Sequence, residues 1–308
     1  MIVINALFPV IFVIGLGYFF KHNGFLHNDF WAMAEKLSYF VLLPLLLFKS
    51  IAESHPAPFS ETIPLALSLC FVYVLMTGAV FLSWKLFPKS APLSPAGFAS
   101  YAQGALRFNN FVGIPIVVSL FGAQGLSLYA IVLAVCIPVS NIITVVIMVH
   151  YCGDGRINWG KIFKNIALHP LILATLAGLL VQQTGLSLGL LMKTVTLLAP
   201  ASLPIGLLCV GAAIDLGHVK KSATVLAFAS AMKLVVFPVM MGVSCWLLKV
   251  PPLPSNVALI FAGLPCATSS YVVAKQMGAD ADLMASITGT ATVAALLTLP
   301  VILFIITG

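Results

Sequence analysis

A short polar segment, "RFNNFVGIP" at residues 107–115, lies inside an otherwise apolar stretch of the chain. The guanidinium of Arg107 can hold a carboxylate through two parallel hydrogen bonds, and the amides of Asn109 and Asn110 can donate to an anion. Polar groups at membrane depth are costly and typically mark a substrate path. The segment predicts an anion-binding site; in the alternative, the asparagines bond a neighbouring helix and Arg107 extends to the inner headgroups.

A second segment, "GLPCATSS" at 263–270, contains the same Gly-x-Pro pattern, so that Gly113 and Pro115 correspond to Gly263 and Pro265. Proline lacks a backbone N–H and displaces the carbonyl four residues earlier, so we expect each helix to break at its proline. A half-helix that starts at a break presents unpaired N–H groups and the positive end of its dipole, which attract a carboxylate. A simple kink at each proline is the alternative.

Further residues are expected to line a site between the two breaks. Asn109 and Asn110 lie roughly 8 to 9 Å from the break expected at Pro115, and Arg107 lies about 12 Å from it. The other candidates offer an amide, a thiol or a hydroxyl near the second break or in the next helix: Asn141, Cys266, Thr268 and Ser269.

A second intramembrane charge lies at Lys233, about 15 Å deep in its apolar stretch. Lys233 either pairs with Asp215 or is a neutralised lysine that carries a proton. All eight acidic residues are expected at helix ends or in loops. Sodium or proton coupling is therefore not evident, although sodium held by carbonyls and hydroxyls stays open.

The sequence contains no pattern typical of an enzyme or a metal site. The six cysteines have no CxxC spacing, there is no H-E-x-x-H motif, and no two acids lie in the middle of apolar stretches. We therefore expect neither catalysis nor a bound metal or cofactor.

The composition is that of an integral membrane protein, because 61% of the 308 residues are hydrophobic and 7% are charged, against about a quarter charged in soluble domains. We expect an all-α polytopic membrane protein with no soluble domain. Ten apolar stretches reach or approach the ~20 residues needed to cross a bilayer. They are residues 3–20, 32–52, 63–84, 97–120, 125–149, 162–182, 189–214, 223–248, 255–275 and 283–306.

The distribution of lysine and arginine predicts the orientation. Ten of these residues fall in loops and helix ends that are inside if the N-terminus is outside, and three fall on the opposite side. Basic residues favour the cytoplasmic side. We expect a protein of the cell inner (plasma) membrane with both termini outside, and the +7 net charge needs no nucleic-acid partner.

The chain contains weak internal repeats. The segment from Asn5 resembles that from Asn165, "FVGIP" from Phe111 resembles "FAGLP" from Phe261, and "FGAQGLSLYA" resembles "MGADADLMAS", at offsets of 161, 150 and 156. Each repeat, residues 1–153 or residues 154–308, then contains five of the ten stretches. Because five is an odd number of crossings, the second repeat enters the membrane from the side opposite to the first. Broken helices 4 and 9 then correspond, and matching interruptions in inverted repeats indicate a midplane binding site.

Three segments together resemble the auxin efflux carrier family, of the bile acid and auxin transporter superfamily. They are "RFNNFVGIPIV", "LPIGLLCVGAAIDL" from Leu203, and the long run that starts with "GLPCATSSYVVAKQMGADADLMASITG" at Gly263. The resemblance implies ten helices in two inverted repeats, with a scaffold of helices 1, 2, 6 and 7. It also implies a transport domain of helices 3–5 and 8–10, a substrate at the crossing of helices 4 and 9, an elevator movement and a homodimer.

Members of this family carry organic anions such as auxin or dicarboxylates, and the resemblance assigns their helix 4 asparagine to Asn109 or Asn110. Many members have asparagine where Ser269 stands, and the helix 9 acid of sodium bile acid symporters has no counterpart at 266–270. The sequence thus predicts a secondary transporter of a small mono- or dicarboxylate that works by alternating access in the bilayer. An anion channel and a sodium-coupled symporter are the alternatives.

Overall fold

The structure is a computed structural model that describes residues 2–54, 58–87, 93–153, 158–214 and 222–307. These residues form helices joined by short connections, and none of them lies in a β-strand. The α-helices are α1 (Ile2–His22), α2 (Asn28–Leu37), α3 (Leu43–Ala52), α4 (Phe59–Lys85), α5 (Pro95–Leu106), α6 (Asn110–Cys152), α7 (Trp159–Ala167), α8 (Pro170–Thr184), α9 (Gly189–Leu198), α10 (Ser202–Ala212), α11 (Ala223–Ala231), α12 (Phe237–Leu247), α13 (Pro252–Ala262), α14 (Ser270–Gln276) and α15 (Ala281–Thr307). Short π-helical turns join α2 to α3 and α11 to α12, and a 3₁₀ turn joins α9 to α10.

Seven helical stretches within the described residues are long and apolar enough to cross a membrane. Large apolar side chains such as Phe8, Phe304 and Leu297 are exposed on their outer faces, as expected for helices that contact lipid. The chain is therefore a multi-pass membrane protein. The seven stretches are Val3–His22, Asn28–Ala52, Ser60–Lys85, Pro95–Cys152, Gly189–Ala212, Ala223–Leu247 and Ala281–Thr307.

The stretch Pro95–Cys152 has 58 residues, far more than the ~20 that one crossing needs, and it is interrupted twice. Residues 107–109 separate α5 from α6. Gly122, inside α6, has φ 58° and ψ −145°, a conformation that glycine adopts without a Cβ clash. Gly122 lies between the stretches expected at 97–120 and 125–149, so a change of direction follows there.

The first break lies at residues 107–109, and the sequence-based expectation of a break at Pro115 is wrong. Pro115 lies inside α6. The helix starts earlier because the Asn109 side chain accepts a hydrogen bond from Phe111 N at 3.1 Å, an N-cap that satisfies one of the free donors of the first turn. The asparagines therefore lie at the break itself, and not the expected 8 to 9 Å away.

The second break covers residues 263–269, between α13 and α14, and it contains Pro265 as expected. The stretch expected at 162–182 is also interrupted, because α7 ends at Ala167 and α8 begins at Pro170. Proline is well tolerated at the first position of a helix, where its missing N–H has no partner to lose.

Glycines allow two pairs of helices to pack closely. A Cβ atom on Gly17 of α1 or on Gly211 of α10 would clash with backbone atoms of the other helix. A Cβ on Gly178 of α8 would lie 2.9 Å from Cβ of Ile51 on α3. Small residues at such contacts let helix backbones approach each other in a membrane, so α1 with α10 and α3 with α8 form tight pairs.

The helices that carry the breaks are tied to their neighbours by buried hydrogen bonds. Tyr73 Oη on α4 donates to the carbonyl of Leu106, the last residue of α5, at 3.2 Å. Gln103 Nε2 on α5 donates to the carbonyl of Ser270, the first residue of α14, at 2.9 Å. These bonds hold the end of α5 and the start of α14, and hence the two breaks, in a defined position.

Candidate functional site

The two breaks contact each other directly. The backbone N–H of Asn109 donates to the carbonyl of Pro265 at 3.0 Å. The rings of Phe108 and Phe261 lie 4.5 Å apart at an angle of 66°, and a Cβ on Gly113 would clash with the Leu264 side chain of the second break. The interrupted backbone of one helix thus pairs with that of the other, in accord with the need of buried peptide groups for partners.

Asn109 has one amide atom in use and one free. Its side-chain Oδ1 caps α6 by accepting from Phe111 N, so that Nδ2 points away from the cap. Nδ2 is buried and has no hydrogen-bond partner among the described residues, and the side chain is 2% exposed. A buried donor without a partner costs about 1–3 kcal/mol, so a ligand that accepts from Nδ2 would bind favourably.

Asn110 is held by a side chain from the part of α6 that follows Gly122. Tyr129 Oη donates to Asn110 Oδ1 at 3.2 Å, and the tyrosine is fully buried. This bond realises in part the alternative role predicted for the asparagines, a contact within the helix bundle. The bond also fixes the orientation of the Asn110 amide. With Oδ1 held by Tyr129, Nδ2 is the atom that can donate to a ligand.

A small cavity lies between the breaks, with a volume of about 30 Å³, enough for one or two water molecules. Six of the residues that the sequence assigns to the substrate site line its wall: Arg107, Asn109, Asn110, Asn141, Thr268 and Ser269. Its full lining is Glu35, Tyr39, Arg107, Phe108, Asn109, Asn110, Phe111, Ile137, Ser140, Asn141, Ala267, Thr268 and Ser269.

Arg107 is the C-cap of α5 and the first residue of the break, and its backbone is extended. Its Nη1 donates to Gln103 Oε1, one helical turn earlier, at 3.1 Å. The guanidinium is partly buried and lines the cavity. The structure thus has Arg107 in the cavity wall, and a role of its guanidinium in binding stays a prediction.

The remaining predicted residues lie behind the cavity wall. Cys266 is fully buried, and its Sγ lies 3.4 Å from Ser270 Oγ. Gly113, Gly263 and Pro265 are also buried and are not part of the lining. Pro115, inside α6, is partly buried and is not part of the lining either. The carbonyl of Pro265 serves the contact with Asn109 described above, so these residues shape the two breaks.

Glu35 was missed by the sequence analysis, which expected every acid at a helix end or in a loop. The expected span began at residue 32, but α2 begins at Asn28, which places Glu35 two turns inside the helix. Glu35 accepts a hydrogen bond from Thr268 Oγ1 of the second break. Glu35 and Tyr39 are four residues apart, a spacing that puts both on one helix face. This spacing is the sequence pattern from which a polar face of the helix could have been predicted.

A second, larger cavity adjoins the first. Its volume is about 410 Å³, and its wall includes Lys21, Asp282 and Thr288. Glu35 and Thr268 line both cavities. The hydrogen bond between these two side chains therefore lies where the wall of the larger cavity, which we call the vestibule, meets the wall of the central one.

Lys233 lies away from both cavities. It is fully buried in the π-helical turn between α11 and α12, and its Nζ has no hydrogen-bond partner among the described residues. Nζ lies 4.3 Å from the centre of the Phe237 ring, a cation–π geometry. The predicted partner, Asp215, lies outside the described residues, so the pairing stays a prediction.

No group of three or more His, Cys, Asp or Glu side chains comes together as a metal site in the part of the chain that the structure describes. The lining of the central cavity offers amide, hydroxyl and guanidinium donors with a single carboxylate. Amide and guanidinium donors of this kind are suited to hold a small polar anion.

Comparison with known proteins places the chain among transporters. The family described as "Membrane transport protein" matches residues 2–158 and 155–303. An "Uncharacterized transporter" of Methanothermobacter thermautotrophicus is 22% identical over 96% of both chains, and one of Methanocaldococcus jannaschii is 22% identical over 93% of both. A protein of Rhizobium meliloti named "Putative malonate transporter" is 31% identical over 38% of this chain and 37% of its own length. The chain therefore belongs to the membrane transport protein family, the family of the auxin efflux carriers.

Proposed function

We propose that the protein is a secondary transporter of small organic anions and that it binds a carboxylate in the cavity between the two breaks. The observation that carries the proposal is Asn109 Nδ2, a buried donor without a partner that lines this cavity beside Arg107. The cavity also lies at the start of α6, where the helix dipole favours negative charge. A donor amide, a guanidinium and a helix N-terminus together form an anion-binding arrangement.

We also propose the architecture that the sequence predicts: ten crossings in two inverted five-helix units, 1–153 and 154–308, with helices 4 and 9 broken and crossing. The contact between Asn109 N and Pro265 O supports the pairing of the two breaks. The tight packing of α1 with α10 and of α3 with α8 supports a scaffold of helices 1, 2, 6 and 7. The location in the inner membrane with both termini outside, and the homodimer, remain proposals.

The small size of the cavity supports transport by alternating access. A volume of about 30 Å³ is too small for a carboxylic acid, so the broken helices must move relative to α2 and α10 before a substrate can bind. Phe111 of α6 packs against Gly206 of α10 so closely that a Cβ there would clash with the ring. In our proposal this contact is part of the interface along which the transport domain moves in an elevator-type step.

Thermal stabilisation of the purified protein by carboxylates tests the binding site. Ligands that bind the native state raise the melting temperature by mass action. We expect at least one mono- or dicarboxylate to raise it, and we expect Asn109→Ala and Asn110→Ala to abolish the shift while both variants still fold. Asn23→Ala, at an exposed position after α1, is the matched control and should keep the full shift.

An unchanged shift in both cavity variants would contradict the site. The same titration in sodium and in potassium salts tests for coupling, because a co-transported cation would strengthen the binding of the anion in one salt only. Equal shifts in the two salts would favour transport without sodium.

A further inference from the structure

The boundary between the central cavity and the vestibule contains one carboxylate, that of Glu35. Glu35 extends from α2, and Thr268 of the second break donates to it. Both side chains are partly buried and line both cavities. A substrate that enters the central cavity from the side of the vestibule would therefore pass close to the Glu35 carboxylate.

The central cavity has one cationic and one anionic side chain. Among the described residues in its wall, Arg107 and Glu35 are the two charged ones. The structure describes no ion pair between them; Arg107 donates to Gln103, and Glu35 accepts from Thr268. One charge thus comes from the first break and the other from α2.

The charges of Arg107 and Glu35 bear on the charge of the ligand that the cavity can accept. One carboxylate of a substrate is attracted by Arg107 and by the Asn109 amide, whereas a second carboxylate on a small molecule would come close to Glu35. Like charges at short range and low dielectric repel strongly. The Glu35 carboxylate can instead accept a hydrogen bond from a neutral donor such as an amide or a hydroxyl.

We propose that Glu35 makes the site selective for acids with a single negative charge and rejects dicarboxylate dianions. This proposal rests on the proposed function, because it assumes that a carboxylate binds beside Asn109 and Arg107. It narrows the substrate class from mono- or dicarboxylates to small monocarboxylates, favoured where they carry a hydrogen-bond donor at the other end.

A purely structural role of Glu35 predicts a different pattern. In that case the carboxylate would only tie α2 to the second break through Thr268, and its charge would not affect the choice of ligand. Glu35→Gln keeps an acceptor for Thr268 and removes the charge. Thr268→Val keeps the size and the Glu35 charge and removes the hydrogen bond, so the two variants separate charge from attachment.

The test uses pairs of acids that are nearly identical in shape and differ by one charge: malonate with malonamate, succinate with succinamate, and phthalate with phthalamate. Binding of each to the purified full-length protein is measured by thermal shift titration near neutral pH. In the wild type we expect the monoamide of at least one pair to bind about tenfold more tightly than the dianion. Glu35→Gln should bring the two members of that pair to within about threefold of each other, and Thr268→Val should keep the wild-type preference.

The outcomes distinguish this proposal from the one on which it rests. If the dianion binds the wild type as tightly as the monoamide, the charge selection by Glu35 is overturned while the anion site stands. The same holds if Glu35→Gln leaves the preference unchanged or if Thr268→Val abolishes it. If no member of any pair stabilises either the wild type or Glu35→Gln, the anion site fails and the selectivity fails with it.

Discussion

The Asn109 side chain uses its two polar atoms for two different purposes. Oδ1 starts α6 as a helix cap, and Nδ2 is left as a buried donor in the wall of the cavity. The cap fixes the orientation of the amide, so the free donor is held in place before any ligand arrives. A preorganised donor of this kind loses little conformational entropy on binding.

Tyr129 holds the second asparagine, and its removal should weaken ligand binding. Tyr129→Phe leaves the buried Asn110 Oδ1 without the partner it has at 3.2 Å, which costs about 1–3 kcal/mol. We expect a lower melting temperature and, because the Asn110 amide is no longer oriented, a smaller shift with carboxylates. Both quantities come from one thermal shift titration.

Tyr101→Phe is the matched control for this change. Tyr101 is also fully buried and also loses one hydroxyl contact, at 2.6 Å to Ser83 Oγ, but its partner Ser83 is not part of the cavity wall, whereas Asn110 is. It should lower the melting temperature and leave the ligand-induced shift intact. If the two variants bind carboxylates equally well, Tyr129 has no part in the site.

At the scale of the helix, the two breaks have different causes. The second break is centred on Pro265 and was predictable, since proline removes a donor and displaces a carbonyl. The first break depends on the Asn109 cap and on the bond from Asn109 N to Pro265 O. That second bond joins residues far apart in the sequence, so no local pattern could place the break at 107–109.

The close packing of α1 against α10 allows a prediction about the stability of two glycine variants. Gly17→Ala puts a methyl group into the backbone of Leu208, and we expect it to destabilise the fold by about 1–3 kcal/mol. Gly15→Ala, two residues away on the same helix, meets no atom within 4 Å and should be neutral or slightly stabilising.

Thermal melting of the two glycine variants checks this prediction directly. Equal melting temperatures would mean that α1 and α10 do not pack as tightly as the structure has them. A loss in Gly17→Ala alone would support the scaffold in which helices 1 and 7 of the proposed ten-helix order are partners.

At the scale of the whole molecule, composition predicted an all-helical membrane protein, which the structure confirms, whereas the ten-helix inverted repeat stays a prediction. The apolar stretches coincide with helical segments to within a few residues, because chain length and hydropathy decide which segments can lie in a bilayer. The polar residues that the sequence assigned to the site and that line one cavity are Arg107, Asn109, Asn110, Asn141, Thr268 and Ser269; their role in binding stays a prediction. Glu35 was missed because its place in the cavity depends on where α2 starts and on packing against the second break.

The measurement that tests the central claim most directly is counterflow in proteoliposomes. Vesicles that contain the protein are loaded with an unlabelled acid, and entry of the same radiolabelled acid is followed, using malonate, malonamate and benzoate in turn. We predict a transient accumulation above equilibrium for at least one of them, retained in Asn23→Ala and absent in Asn109→Ala. Unsaturated entry without accumulation, or full accumulation in Asn109→Ala, would contradict a carrier that binds its substrate between the two breaks.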